Sequence, residues 1–330
     1  MFAPFLKKES SSQELEAILP HLPEPRSLPE ILDEIRGHLE EFPDALLGEV
    51  GLDQAFRIPA SSISVKDQPS EQSLLISEPS TQNSERNVHT LAPRGQKLTS
   101  LTVPIEHQKK ILMGQIGLAV ELGRSVSLHS VRAGKATSEV LKECCRAYNG
   151  AASGTGAFQD VNLDLHSCTL SAEVIQSILR THPNVFVSFS TTINLRQKHL
   201  ASQLAVVPPT RLLIESDSHS AESLLERNLS MLRIAAPYLS RSGPTLPRES
   251  VGSEVTRHAV ASDLESLRDA ANVVARNWHR FEGNVRRRCL SVGDADDGAD
   301  DCEGESIRDF EENWWKIIKQ RGLQERGHSP

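Results

Sequence analysis

The chain has 330 residues, enough to bury a full core, and one α/β barrel of about 250 residues with insertions fits that length better than two unrelated domains. The formal charge of −8 is local: residues 294–312 carry −9 and residues 313–330 carry +3, which leaves −2 for residues 1–293. A nearly neutral body excludes the broad basic field of a non-specific DNA binder, and five cysteines, an odd number with no paired framework, argue against a disulfide scaffold. The expected compartment is therefore reducing, cytoplasmic or nuclear. The N-terminal apolar run is too short for a signal peptide and no run of about 18 apolar residues occurs, so no membrane partner is expected.

In chain order, residues 1–29 read as a polar, proline-rich lead-in. It holds a short helix over 9–20 and then Pro20, Pro23, Pro25 and Pro29. From Leu28, the residues Ile31, Leu32, Ile35, Leu39 and Phe42 recur at helical spacing, and the pattern hands over through Pro43 to a strand at 45–51. Residues 57–100 lose all periodicity and are rich in Ser, Gln and Pro, which predicts a surface insertion. Helix resumes over about 105–122 and ends at Gly123. Short strands at 125–129, 161–166, 184–190 and 211–216 then alternate with helices at 134–147, 171–181, 194–205 and 220–238. The pattern predicts an α/β fold with a parallel sheet, a barrel-like domain over 30–282 with a second insertion at 240–260. Residues 283–330 form an acidic tail ending in a short segment with Trp314 and Trp315. Its acidic run lacks the ligand order of a calcium loop, because Gly298 stands where the third acid belongs.

Four strand ends carry side chains of metal-ligand type: Glu49, His129, His166 and Asp217. A parallel barrel keeps its chemistry at the C-terminal ends of its strands, so the fold would bring these distant positions together. Other chemistries have no support, since no nucleophile elbow, phosphate-binding loop or dinucleotide fingerprint occurs. Cys168 reads as a small buried thiol.

Gly48-Glu49-Val50-Gly51-Leu52-Asp53, Leu128-His129-Ser130, Leu165-His166-Ser167 and Leu213-Ile214-Glu215-Ser216-Asp217 together resemble the ordered motif series of the TatD family of metal-dependent deoxyribonucleases. The resemblance covers about residues 30–238, and Ala275-Arg276-Asn277-Trp278 is similar to the family's last helix. The two insertions, and Asp217-Ser218-His219 in place of a usual Asp-Ala-Pro, resemble the fungal branch. The resemblance implies a TIM barrel with two divalent ions, Mg, Mn or Zn. Glu49 would bridge them, His129 and His166 would complete one site, and Asp217 would bind the other and position the attacking water. The implied reaction is 3'-5' hydrolysis of phosphodiester bonds in DNA.

The family opens with a strand bearing Asp-x-His-x-His, and none of the twelve histidines here stands two positions from another. The first two barrel strands are therefore expected to be absent. Three explanations are open: an incomplete version of an ordinary enzyme, which we favour, a natural short form, or partial substitution by His219. A different class of function follows from the same likeness. Fungal relatives of this type imply an inactive interaction protein, partner of a helical-repeat subunit of the anaphase-promoting complex, engaged through the insertions or the acidic tail. The wider amidohydrolase-like superfamily leaves open a hydrolase of other substrates, and aromatic residues at 4% do not supply an evident stacking platform for DNA bases.

Overall fold

A computed structural model describes residues 9–59, 98–148, 157–218, 223–239 and 264–290. Helices α1 (Glu9–Ile18) and α2 (Leu28–Glu41) lead into strand β1 (Leu47–Asp53). There follow α3 (Ile105–Leu122), β2 (Val126–Val131), α4 (Gly134–Tyr148), β3 (Leu163–Leu165), α5 (Ala172–Thr181) and β4 (Val185–Ser190). The remaining elements are α6 (Thr191–Asn194), α7 (Leu200–Val206), β5 (Leu212–Glu215), α8 (Leu224–Leu239) and α9 (Leu264–Leu290). The five strands pair in parallel and in the order of the chain. Parallel neighbours require a crossover, and helices lie between each pair. This is the arrangement of a sector of an eight-stranded α/β barrel; among the described residues β1 and β5 form the edges and the sheet does not close.

Side chains alternate across a strand, so each strand can be apolar on one face and polar on the other. Val126, Leu128, Leu163, Leu165, Val185, Val187, Phe189, Leu212 and Ile214 point to one face and pack with α3, α4, α5, α7 and α8 in a single core. The other face carries Ser127, His129, Asp164, Ser188, Ser190 and Glu215. Its lower end is closed by α9. Phe281 is buried against Phe186 and Leu213, and its carbonyl accepts hydrogen bonds from Ser125 Oγ at 2.7 Å and Asn162 Nδ2 at 2.9 Å. Asn277 fixes the same helix by donating from Nδ2 to the carbonyls of Pro209 and Leu212, both at 2.7 Å. The N-terminal ends of the strands are thus sealed, and the polar half of this face lies toward their C-terminal ends.

Local signals account for most boundaries. Ser27 and Glu30 form a reciprocal capping box at the start of α2, and Gly123 ends α3 in the left-handed region at φ 65°. Pairing begins at Leu47 rather than Ala45, because the Ala45 amide donates to the Phe42 carbonyl in a turn. The segment expected as one helix over 194–205 is two: Ser190 caps α6 early, and exposed Leu195 has no core to hold it in a continuous helix. The last helix runs on through Gly283 to Leu290, a placement that costs about 1 kcal/mol relative to Ala in a helix interior.

The insertion leaves and returns at one neck. The Thr99 amide donates to the Ile58 carbonyl at 2.9 Å, and α1 covers the neck with Leu15 and Ile18 packed on Leu101. The expected turn at 149–156, the bulk of the first insertion, the connector at 240–260 and the tail beyond 290, with Trp314 and Trp315, lie outside the described residues.

One close approach fixes β1 against β2. Gly51 pairs with His129, and a Cβ at Gly51 would lie 2.0 Å from the His129 carbonyl oxygen, a backbone atom that cannot move aside alone. Gly51→Ala is expected to destabilise the fold by about 3 kcal/mol, read as a lower urea midpoint. A midpoint equal to the parent's would show that the two strands are not held this closely.

Candidate metal centre

Three of the four ligand-type residues stand at or near a strand's C-terminal end: His129 lies in β2, His166 follows β3 and Asp217 follows β5. Glu49, expected to end its strand, instead lies inside β1, which runs on to Asp53, beside a register shift between Leu47 and Val50 that lets its side chain turn toward the imidazoles. His129 Nδ1 donates to Glu49 Oε1. The same oxygen lies 3.9 Å from His166 Nε2, which in turn lies 3.5 Å from Asp217 Oδ1. The structure therefore brings all four sequence-derived positions together, with Glu49 between the two imidazoles. Ser167 and Asp217 hold left-handed backbone angles, φ 40° and 47°. Asp tolerates that region better than most residues; for Ser it is strained, and such strain gathers at functional sites. His219, weighed above as a substitute ligand, lies outside the described residues.

Three further carboxyl groups join the cluster, and sequence reasoning did not single them out. Asp53 Oδ2 lies 3.7 Å from His129 Nε2, while Asp53 Oδ1 accepts from the amides of Ala55 and Phe56. Glu215 Oε2 lies 2.6 Å from His166 Nδ1 as an ion pair. Its Oε1 accepts from the Ser167 amide at 2.5 Å, Ser167 Oγ at 2.8 Å and Ser188 Oγ at 2.7 Å. Asp164, almost fully buried, has Oδ2 at 2.8 Å from Ser188 Oγ and no partner for Oδ1. The available signal was spacing: Asp164 stands two positions before His166 and Glu215 two before Asp217, each a polar-face strand residue just ahead of a ligand-type residue that follows the strand.

The charges organise themselves around the imidazoles. The hydrogen bond from His129 holds the Glu49 carboxyl below its ordinary range and raises His129 in return. Burial disfavours charge on His166, but the Asp217 and Glu215 carboxylates facing its two nitrogens outweigh it and lift this imidazole to about 11. Asp217 is lowered chiefly by the neighbouring His166 imidazole. Asp164 goes the other way, pushed to about 8 by burial and then by the neighbouring Glu215 charge. A hydrogen count agrees. Ser188 has one hydroxyl proton for two carboxyl neighbours, so a proton on Asp164 lets it donate to Ser188 while Ser188 donates to Glu215. Cys144 and Cys168 take no part; burial raises both thiols to about 12.

Asp164, His166 and Glu215 each offer a ligand atom within 4.8 Å of the others, a spacing that could hold a metal ion. A cavity of about 340 Å³ opens beside Glu49 and His129, lined also by Asp53, Phe56, Val103 and Gln108. Among the described residues no helix is long and apolar enough to cross a membrane.

An α/β fold that gathers imidazoles and carboxylates on one polar face is an arrangement that could hold a metal ion. The sequence pattern of the family described as TatD related DNase matches residues 24–230, more than half of the chain, and the chain belongs to that family. It is 29% identical over 223 residues to the Cut9-interacting protein scn1 of Schizosaccharomyces pombe, across 62% of this chain and 59% of that protein. It is 24% identical over 214 residues to an uncharacterized deoxyribonuclease of Saccharomyces cerevisiae, across 63% and 55%. The chain thus spans less than two thirds of the length of either relative. Among solved structures it is similar to an uncharacterized amidohydrolase from S. cerevisiae at 18% identity and TM-score 0.32, covering 57% of this chain and 60% of that one. It is also similar to YjjV, a TatD homolog from Escherichia coli, at 15% identity and TM-score 0.41, covering 76% and 69%.

The raised Asp164 carboxyl has a consequence for stability. The folded state keeps this proton up to about pH 8, whereas the unfolded chain releases it near pH 4, so stability falls as pH rises between those values. Asp164→Asn removes that penalty and retains an oxygen and an N–H for Ser188. The melting temperature of the metal-free variant, relative to the parent, should rise steadily from about pH 5 to about pH 8. A difference that stays flat over this range would mean that Asp164 is ionised in the fold.

Proposed function

We propose that this chain is a divalent-metal-dependent hydrolase of DNA phosphodiesters, with Glu49, His129, His166 and Asp217 as the ligands. The observation that carries the reading is the single Glu49 carboxylate facing both imidazoles, with Asp217 on the same His166 nitrogen. Two ligands of one ion, each about 2.1 Å from it, stand about 3.0 to 3.4 Å apart, so the 3.5 and 3.9 Å gaps around His166 Nε2 need only a slight contraction to share one. The donor set suits Mg, Mn or Zn. Five carboxyl groups around two imidazoles would otherwise repel a phosphodiester, which makes a cation a condition of binding this substrate.

When bound, divalent ions polarise the phosphoryl oxygens and make an attacking water more acidic. The chain's own residues do the rest. Asp217, exposed enough to meet solvent, would accept the water's proton at the carboxylate oxygen turned away from His166 and set its line of attack. His166 and His129 hold their nitrogens toward Glu49, and the cavity beside Phe56 and Val103 takes the uncharged part of the strand end.

A second reading is an interaction protein without turnover, favoured by the likeness to a relative named for interaction with Cut9. The two readings separate on purified protein. The first expects divalent metal in the parent, measured by equilibrium dialysis against manganese, and its loss in a His129→Ala, His166→Ala double variant; equal retention by both would remove it. It also expects hydrolysis of single-stranded DNA that chelator abolishes and that Asp217→Ala lowers about 10²- to 10⁴-fold. Metal binding without any such hydrolysis would favour the interaction protein.

A further inference from the structure

We infer that Glu215 is a positioning residue for His166 and not a metal ligand: it holds the ring by Nδ1, so that Nε2 alone faces the cation. The inference rests on the metal reading above and assigns a different role to the group of Asp164, His166 and Glu215. The ring nitrogen that each carboxylate faces separates the two roles. Glu215 Oε2 lies 2.6 Å from His166 Nδ1, across the ring from the Nε2 that Glu49 and Asp217 face. The carboxylates on the Nε2 side stand at 3.5 and 3.9 Å, with no direct hydrogen-bond length among them.

Glu215 also has nothing left to offer a cation. Oε2 is taken by the imidazole, and Oε1 accepts three donors, the Ser167 amide, Ser167 Oγ and Ser188 Oγ. Ser190 Oγ lies 2.8 Å from Ser167 Oγ and braces it from behind. The Ser167 amide reaches Glu215 from the strained φ of 40°, a conformation that the surrounding contacts must enforce. Depth agrees with this order. Side-chain exposure falls from 45% at Glu49 and 32% at Asp217 to 14% at Glu215, and Asp164 behind it is 2% exposed. The solvent side therefore holds the groups free to bind, and the buried side holds the groups already satisfied. A carboxylate behind a ligating imidazole fixes its tautomer and ring angle and strengthens it as a donor.

The test uses zinc, a diamagnetic ion, on the full chain with ¹⁵N-labelled histidine. In the zinc-loaded parent, two-bond ¹H–¹⁵N spectra should show His166 protonated at Nδ1 and shifted by zinc at Nε2. In Glu215→Gln, which keeps an acceptor oxygen but not the charge, zinc affinity by equilibrium dialysis should fall about 10- to 100-fold while zinc still binds through Nε2. Ser188→Ala, which removes one of the donors to Oε1, should weaken zinc in the same direction and by less. Zinc on Nδ1 of His166 in the parent, or unchanged affinity in Glu215→Gln, overturns the inference and leaves the metal reading standing. If neither His129 nor His166 responds to zinc, the metal reading fails and takes this inference with it. Should Glu215→Gln not fold, the parent spectrum alone still decides.

Discussion

The site depends on a one-sided burial. A parallel sheet is normally covered on both faces, and among the described residues helices cover one face throughout while α9 covers only the N-terminal part of the other. Because side chains alternate, the apolar set that must face the helices leaves His129, Asp164, Glu215 and their neighbours no choice of side. A slip of one residue in β2 would turn His129 into the core and Leu128 out of it, and the pairings of Gly51 with His129 and Leu128 with Leu165 forbid that. The register of an apolar core thus fixes the geometry of a polar cluster that contributes nothing to it.

Much of the fold was legible because each element carries its own local signal. The strand of alternating Val185, Val187 and Phe189, the helix closed by Gly123 and the Ser27 cap are readable from a few neighbouring residues. What failed were boundaries set by distant contacts. Nothing near Gly283 marks the continuation of α9, and the division between α6 and α7 follows from a Ser190 cap whose hydroxyl could equally have faced solvent. His129, His166 and Asp217 were legible for a related reason, since each lies where an apolar run gives way to polar residues, whereas Glu49 lies inside β1 and was legible as a carboxylate in an otherwise apolar and glycine-rich strand. Asp164 lies inside β3 between two leucines and Glu215 ends β5 directly after Leu and Ile, where a carboxyl looks like an exception to burial rather than part of a site. Their meaning is visible only once Ser167 and Ser188, far away in sequence, are seen to satisfy them.

The depth gradient also explains how so many acids share one small volume. Like charges at these distances cannot all remain ionised in a buried site without a compensating proton or cation. At the buried end the answer is a proton: Asp164, facing Glu215 across Ser188, is lifted to about 8. In the middle it is the imidazoles, each placed between two carboxyl groups, Glu49 and Asp53 for His129, Glu215 and Asp217 for His166.

At the exposed end neither answer is complete. Glu49 and Asp217 both depend on His166 Nε2, which can donate only one proton, and Glu49 must draw on His129 as well. Two carboxylates therefore compete for a single hydrogen on the solvent side, while the Ser167 amide and the Ser167 and Ser188 hydroxyls on the buried side already serve Glu215. A proton is too small to reach both oxygens across gaps of 3.5 and 3.9 Å, whereas a divalent ion replacing it would carry twice the charge and could contact all three groups at once. The same arrangement that leaves Glu49 and Asp217 underserved by hydrogen bonds is the one that an ion would complete, and it arises only because Glu215 holds the far side of the His166 ring.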